Sequence, residues 1–237
     1  MLDDPTIMKL NFFIVLFTIS ILSITGLYAY AVTLDVTSVG NIEDDSDKLL
    51  DGVLGTAIYT VGDSTYVVAA SEDEDGIEII DISDPTSPTS VGRLADGGSR
   101  FLEESVDVAI WYDTNDTPYA AVAGSKDDGI EIIDISDPTS PTSVGSFSDT
   151  TPNSGGCTTG TVCLDRPNDI AIATIGDNTY AVVAAANDDG IAIIDISTPE
   201  SPTHVISIVD DATRELDQTY GVAIATIGDS RYVVGGG

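Results

Sequence analysis

A nine-residue block, Asp75-Gly76-Ile77-Glu78-Ile79-Ile80-Asp81-Ile82-Ser83, returns as Asp128-Gly129-Ile130-Glu131-Ile132-Ile133-Asp134-Ile135-Ser136. It returns again as Asp189-Gly190-Ile191-Ala192-Ile193-Ile194-Asp195-Ile196-Ser197. Each copy runs into a link with two prolines: Pro85 and Pro88, Pro138 and Pro141, Pro199 and Pro202. Each follows an apolar run led by Tyr66, Tyr119 or Tyr180, and a fourth such run starts at Tyr232. Self-similarity at this period means a stack of like supersecondary units, because one unit cannot bury its own apolar face.

Each unit reads as four short strands. In the third copy, strand a covers about 169–175 and strand b about 179–186, joined at Gly176-Asp177-Asn178. Asp188-Asp189-Gly190 turns the next hairpin, where glycine would take the positive φ. Strand c covers about 190–196. The prolines, which cannot donate to a ladder, force an irregular link to strand d at about 203–209. Strand b is apolar on both faces, as in Ala181-Val182-Val183-Ala184-Ala185. Such a strand is buried on both sides. No stretch of 32–237 has helical periodicity, so other sheets must do the covering. The expectation is an all-β fold, a β-propeller of four-stranded antiparallel blades with three full blades and a partial fourth in an incomplete ring. A β-solenoid fits less well, since its coils lack paired hairpins. The repeats are placed at 49–95, 105–147, 168–209 and, in part, 219–237. Thr37-Ser38-Val39-Gly40 copies Thr89-Ser90-Val91-Gly92, so 32–48 is expected to supply an outer strand completing another blade. The chain therefore reads as a piece of a longer protein.

The repeated DGIEIIDISDPTSP at 75–88 and 128–141, with DGIAIIDISTPESP at 189–202, resembles the LVIVD repeat. The resemblance implies a β-propeller of exported or surface proteins. It implies no particular activity.

Residues 1–31 carry an address. Lys9 precedes an apolar run from Leu10 to Ile24, and Ala29-Tyr30-Ala31 ends it in small-x-small form. This is the pattern of a secretory signal peptide cut after Ala31, with Met8 as the start codon that gives a positive n-region. An uncleaved anchor is the alternative, since the run is near the length a span needs. The expected location is secreted or at the cell surface.

With 40 acidic against 8 basic side chains and a formal charge of −32, the chain repels nucleic acid and anionic lipid. Neither nucleic acid nor direct membrane contact by the exported propeller is expected. A protein or glycan at the cell surface is the expected partner. One histidine and two cysteines leave little for a His/Cys metal site, and no cofactor is expected. The acidic turns at Asp73 and Asp75, Asp127 and Asp128, and Asp188 and Asp189 have two readings: hairpin chemistry, or oxygen ligands for Ca²⁺. Asp107 and Asp169 open strand a in two copies where Gly55 and Gly221 stand in the others, so both carboxylates are candidates for a ligand site at the channel. Cys157 and Cys163 are expected to form a disulfide. The expectation is a non-catalytic binding or structural module. Two alternatives stand beside it: a propeller hydrolase or lyase with its site in further blades, and calcium-dependent adhesion or surface-layer assembly.

Overall fold

The computed structural model describes residues 12–21, 32–149, 157, 161–210, 216, 218–228 and 230–237, with backbone alone for 12–21 and 32–37. Every regular element among them is a strand. Blade 1 holds β3 (Val53–Val61), β4 (Ser64–Ser71), β5 (Gly76–Asp81) and β6 (Thr89–Ala95). Blade 2 holds β7 (Ser105–Tyr112), β8 (Pro118–Gly124), β9 (Gly129–Asp134) and β10 (Thr142–Ser148). Blade 3 holds β11 (Pro167–Ile175), β12 (Asn178–Ala185), β13 (Gly190–Asp195) and β14 (Thr203–Val209). Strand order follows chain order in each antiparallel sheet. A two-stranded fourth sheet pairs β15 (Gly221–Ile227) with β16 (Ser230–Gly236). The first strands β3, β7, β11 and β15 neighbour one another in sequence, so the sheets follow round an arc that stays open. The chain folds as the all-β propeller array its repeats imply.

The remaining sheet pairs β1 (Phe12–Ile21) with β2 (Val32–Ile42). β2 thus takes its partner from the N-terminal segment.

The core lies between blades. Val68, Ile77 and Ile79 of blade 1 pack with Val108, Val122 and Ile133 of blade 2. Ala121, Ile130 and Ile132 of blade 2 pack with Ile170, Ala181 and Ile194 of blade 3. β8 is buried along its whole length, since each face meets a neighbouring sheet. Alanine dominates there because two flanking sheets leave room for only small side chains. Each fully buried isoleucine contributes about 1.5–3 kcal/mol relative to an exposed one.

Two details set the blade spacing. The c–d pairing carries a bulge in every blade, between Ile79 and Ile80 in the first. Beside it, a Cβ on Gly92 would strike the Pro138 carbonyl, and one on Gly145 the Pro199 carbonyl. Strand d of one blade therefore sits directly on the proline link of the next.

One turn differs from expectation. The residue with positive φ in the b–c hairpin is the aspartate: Asp75 (53°), Asp128 (54°) and Asp189 (50°). Gly76, Gly129 and Gly190 are needed for another reason, the close approach of the Leu94, Phe147 and Ile208 carbonyls. Aspartate tolerates the left-handed region better than most residues, and here that conformation aims its carboxylate at the next blade.

Candidate functional site

The acidic turns hold the blade linkers. Asp75 Oδ1 accepts from the Glu104 N–H (2.8 Å), Asp128 Oδ1 from Arg166 (3.1 Å) and Asp189 Oδ1 from Gln218 (2.8 Å). Each of these bonds spans from one blade to the linker entering the next. The residue before each turn aspartate holds the linker of its own blade. Glu74 accepts from the Asp51 N–H (3.0 Å), Asp127 from Glu103 (2.8 Å) and Asp188 from Asp165 (2.9 Å). Asp73 lies over Gly52, whose φ of +64° leaves room for it. Burial pushes the carboxyls of Glu74, Asp127, Asp128 and Asp188 upward, partly offset by these N–H donors. Among the described residues no three of His, Cys, Asp or Glu converge as a metal site.

Buried glutamates add a contact that pattern reading missed. Glu78 and Glu131 are fully buried at the centre of strand c. Glu78 Oε2 accepts from the Leu49 N–H (3.0 Å) and Glu131 Oε2 from Phe101 (3.0 Å). Their other oxygens take the hydroxyls of Ser90 and Ser143. At 101–104, four successive N–H groups are thus held by four carboxylates, those of Glu131, Asp96, Asp127 and Asp75. The signal was in the repeat, as an acid centred in an otherwise apolar strand. Blade 3 has Ala192 there. Its linker is instead closed on itself by the Cys157–Cys163 disulfide, with Cα atoms 5.5 Å apart and Cys163 fully buried.

The innermost strands bring the other candidates together. Asp107 sits on β7 and Asp169 on β11. Asp107 Oδ2 accepts from the Ile170 N–H (3.0 Å), and Asp169 Oδ2 accepts from Val222 (2.7 Å). Each inner strand thus caps the next. On β3 the equivalent is Gly55, where a Cβ would meet Asp107 Oδ1 at 2.7 Å. Burial first, and then a hydrogen bond with the Asp169 carboxyl, push Asp107 up to about 7. The two carboxyls stand half-buried on neighbouring inner strands. Such a pair can hold a cation or a ligand hydroxyl.

Two further features complete the polar surface. An open cleft of about 450 Å³ runs along Gly97, Gly98, Ser99 and Arg100 of the first linker and Pro141, Thr142 and Ser143 of blade 2. Trp111 is buried and stacks on Tyr119 at 5.3 Å, which makes it packing.

The LVIVD repeat family matches residues 59–96, 118–149 and 171–210, so the chain carries three LVIVD repeats. No curated protein matches it in sequence. Among solved structures, it is similar to a putative 6-phosphogluconolactonase from Bacteroides uniformis, with a TM-score of 0.53 and 15% identity over 85% of this chain and 57% of that one. It is also similar to an exo-β-1,3-galactanase from Phanerochaete chrysosporium, with a TM-score of 0.50 and 13% identity over 78% of this chain and 43% of that one. A GH43 β-1,3-galactosidase solved with galactodeoxynojirimycin has a TM-score of 0.50 and 12% identity over 81% of this chain and 71% of that one. The chain spans about half the length of the first two. These likenesses show the fold alone.

Proposed function

We propose that this chain is an exported LVIVD propeller that serves as a non-catalytic binding or structural module at the cell surface. The carrying observation is the use to which its acids are put. The turn carboxylates, the strand-c glutamates and the inner-strand aspartates are engaged with backbone N–H groups, where they hold blades together. A catalytic constellation needs convergent groups left free for substrate. The apolar run at 10–24 with its small-x-small end supports export. The partner is a protein or glycan tolerant of a strongly acidic surface, and the reading requires no cofactor.

The runner-up is a hydrolase or lyase of extracellular polymer, favoured by the likeness to galactan-degrading folds. One experiment separates the two. Purified protein is incubated with β-1,3-galactan, and both retention on the polymer and release of reducing ends are measured. A module gives no release, with or without retention. Release that falls in Asp107→Asn and Asp169→Asn would establish the enzyme reading instead. Export is checked by fractionating cells that express the full chain, where the protein should leave the cytoplasm.

A further inference from the structure

The turn between strands a and b is built differently in blade 2. In blade 1 the strands stay paired out to Val61 and Ser64, and in blade 3 out to Ile175 and Asn178. A tight turn closes each, with Gly62 and Gly176 at positive φ. In blade 2 the last pair is Tyr112 with Pro118, which leaves the longer loop Asp113-Thr114-Asn115-Asp116-Thr117. Insertions in repeat arrays fall in loops on one face, often the face that carries function.

One carboxylate organises this loop. Asp113 Oδ1 accepts from the N–H groups of Asn115 (2.8 Å) and Thr117 (2.8 Å), and Asp113 Oδ2 accepts from Asn115 Nδ2 (3.1 Å). The Asp113 N–H donates to the Thr117 carbonyl (3.0 Å), and Asp116 takes a φ of 61°. Tyr112 ties the base of the loop to blade 1, its hydroxyl oxygen accepting from the Thr60 N–H (2.8 Å). Thr114, Asn115 and Asp116 stand exposed at the tip. The loop lies at the end of the blade opposite the acidic b–c turns, clear of the linkers they hold.

Asn115, Asp116 and Thr117 form the sequence Asn-x-Thr with x other than proline. The chain has seven asparagines, and Asn115 alone begins this pattern or its serine form. On a surface loop of an exported protein, that pattern is an acceptor for N-linked sugar. We propose that Asn115 is an N-glycosylation site, with a glycosyl polyprenyl phosphate or diphosphate as sugar donor and a transferase of the exporting cell as catalyst. Asn115 Nδ2 forms a bond to the anomeric carbon of the sugar. The bond from that carbon to the phosphate oxygen breaks, and the phosphate leaves with the electron pair. Nδ2 gives one proton to a base of the transferase. The inference rests on the export reading, because the transfer takes place outside the cytoplasm.

The test uses the full chain made by its native cells and recovered from their surface or medium. Its intact mass should exceed that of the exported polypeptide by whole sugar residues, and proteolysis should place the excess on the peptide carrying Asn115. Asn115→Gln and Thr117→Ala should lose the excess, whereas Thr117→Ser and Asn178→Gln should keep it. An exported chain with Asn115 unmodified overturns the proposal and leaves export standing. A chain confined to the cytoplasm overturns the export reading and the proposal with it. An excess that survives Asn115→Gln puts the sugar on another residue and overturns the proposal as well.

Discussion

Asp107 is a carboxyl pushed up to about 7, so about half of it is the acid at neutral pH, and the sign of its effect on stability follows. Its folded pKa of about 7 lies above the ordinary 3.8, so folding favours the proton. The stabilisation is fully present below the ordinary value and is lost as pH rises through about 7. Glu131, Asp127, Asp128 and Asp188, all raised by burial, act in the same direction. Thermal melts should therefore show a more stable protein near pH 5 than near pH 8, against the common pattern for surface carboxylates. Asp107→Asn keeps an acceptor for the Ile170 N–H and removes the titrating carboxyl. It should flatten the profile and raise stability near pH 8 by about 1–2 kcal/mol, a figure reduced for solvent screening at a half-exposed pair. An unchanged slope in the variant would show that the pair does not control it. The linker caps give a second residue-scale expectation. Asp128→Ala leaves the Arg166 N–H without its acceptor and puts alanine at a φ of 54°. Urea unfolding should lose about 1–3 kcal/mol with little change in slope, and Asp128→Asn should recover most of it.

At the scale of the element, the third blade tests how linkers are fixed. Blades 1 and 2 hold their linkers with a buried glutamate on strand c, whereas the linker of blade 3 is closed on itself by a short disulfide. Reduction should cost about 2 kcal/mol by the chain-entropy account of so small a loop. The loss should appear as lower protection of blade 3 amides in hydrogen exchange, with blade 1 unaffected. Mass spectrometry without reductant should find Cys157 joined to Cys163. The strands themselves were legible because each carries a repeated apolar signature, and their hairpins because Gly and Asp mark them. The linkers were not. Leu50, Leu102, Leu164 and Leu216 are all buried at equivalent points, yet they sit in short, mostly polar stretches with no apolar period to reveal them. The roles of Glu78 and Glu131 were hidden for a related reason: a hydrogen bond to a linker some thirty residues upstream leaves no local pattern. Asp107 and Asp169 were singled out by position. Their hydrogen bonds to the next inner strand depend on the spacing of two blades, which the repeat length does not specify.

For the whole molecule the governing quantity is the charge of −32. So many like charges on one compact body repel one another, and any salt that screens them should raise the melting temperature. Calcium would do more only where oxygens converge on it. The turn acids at 73–75, 127–128 and 188–189 are distributed one cluster per blade, and the carboxylates of 74–75, 127–128 and 188–189 already accept linker N–H groups. A cation entering a turn would have to displace the bonds that join the blades, so binding there would compete with the fold it should stabilise. The expected outcome is that CaCl₂ and NaCl at matched ionic strength raise the melting temperature by similar amounts. A true site would add stabilisation by mass action, about 2.7 kcal/mol at a hundredfold excess over Kd. A calcium-specific rise that survives the salt control and disappears in Asp73→Asn/Asp75→Asn would overturn the expectation. It would also move the reading of the protein toward cation-dependent adhesion, because ions shared between acidic blade ends could join one molecule to another.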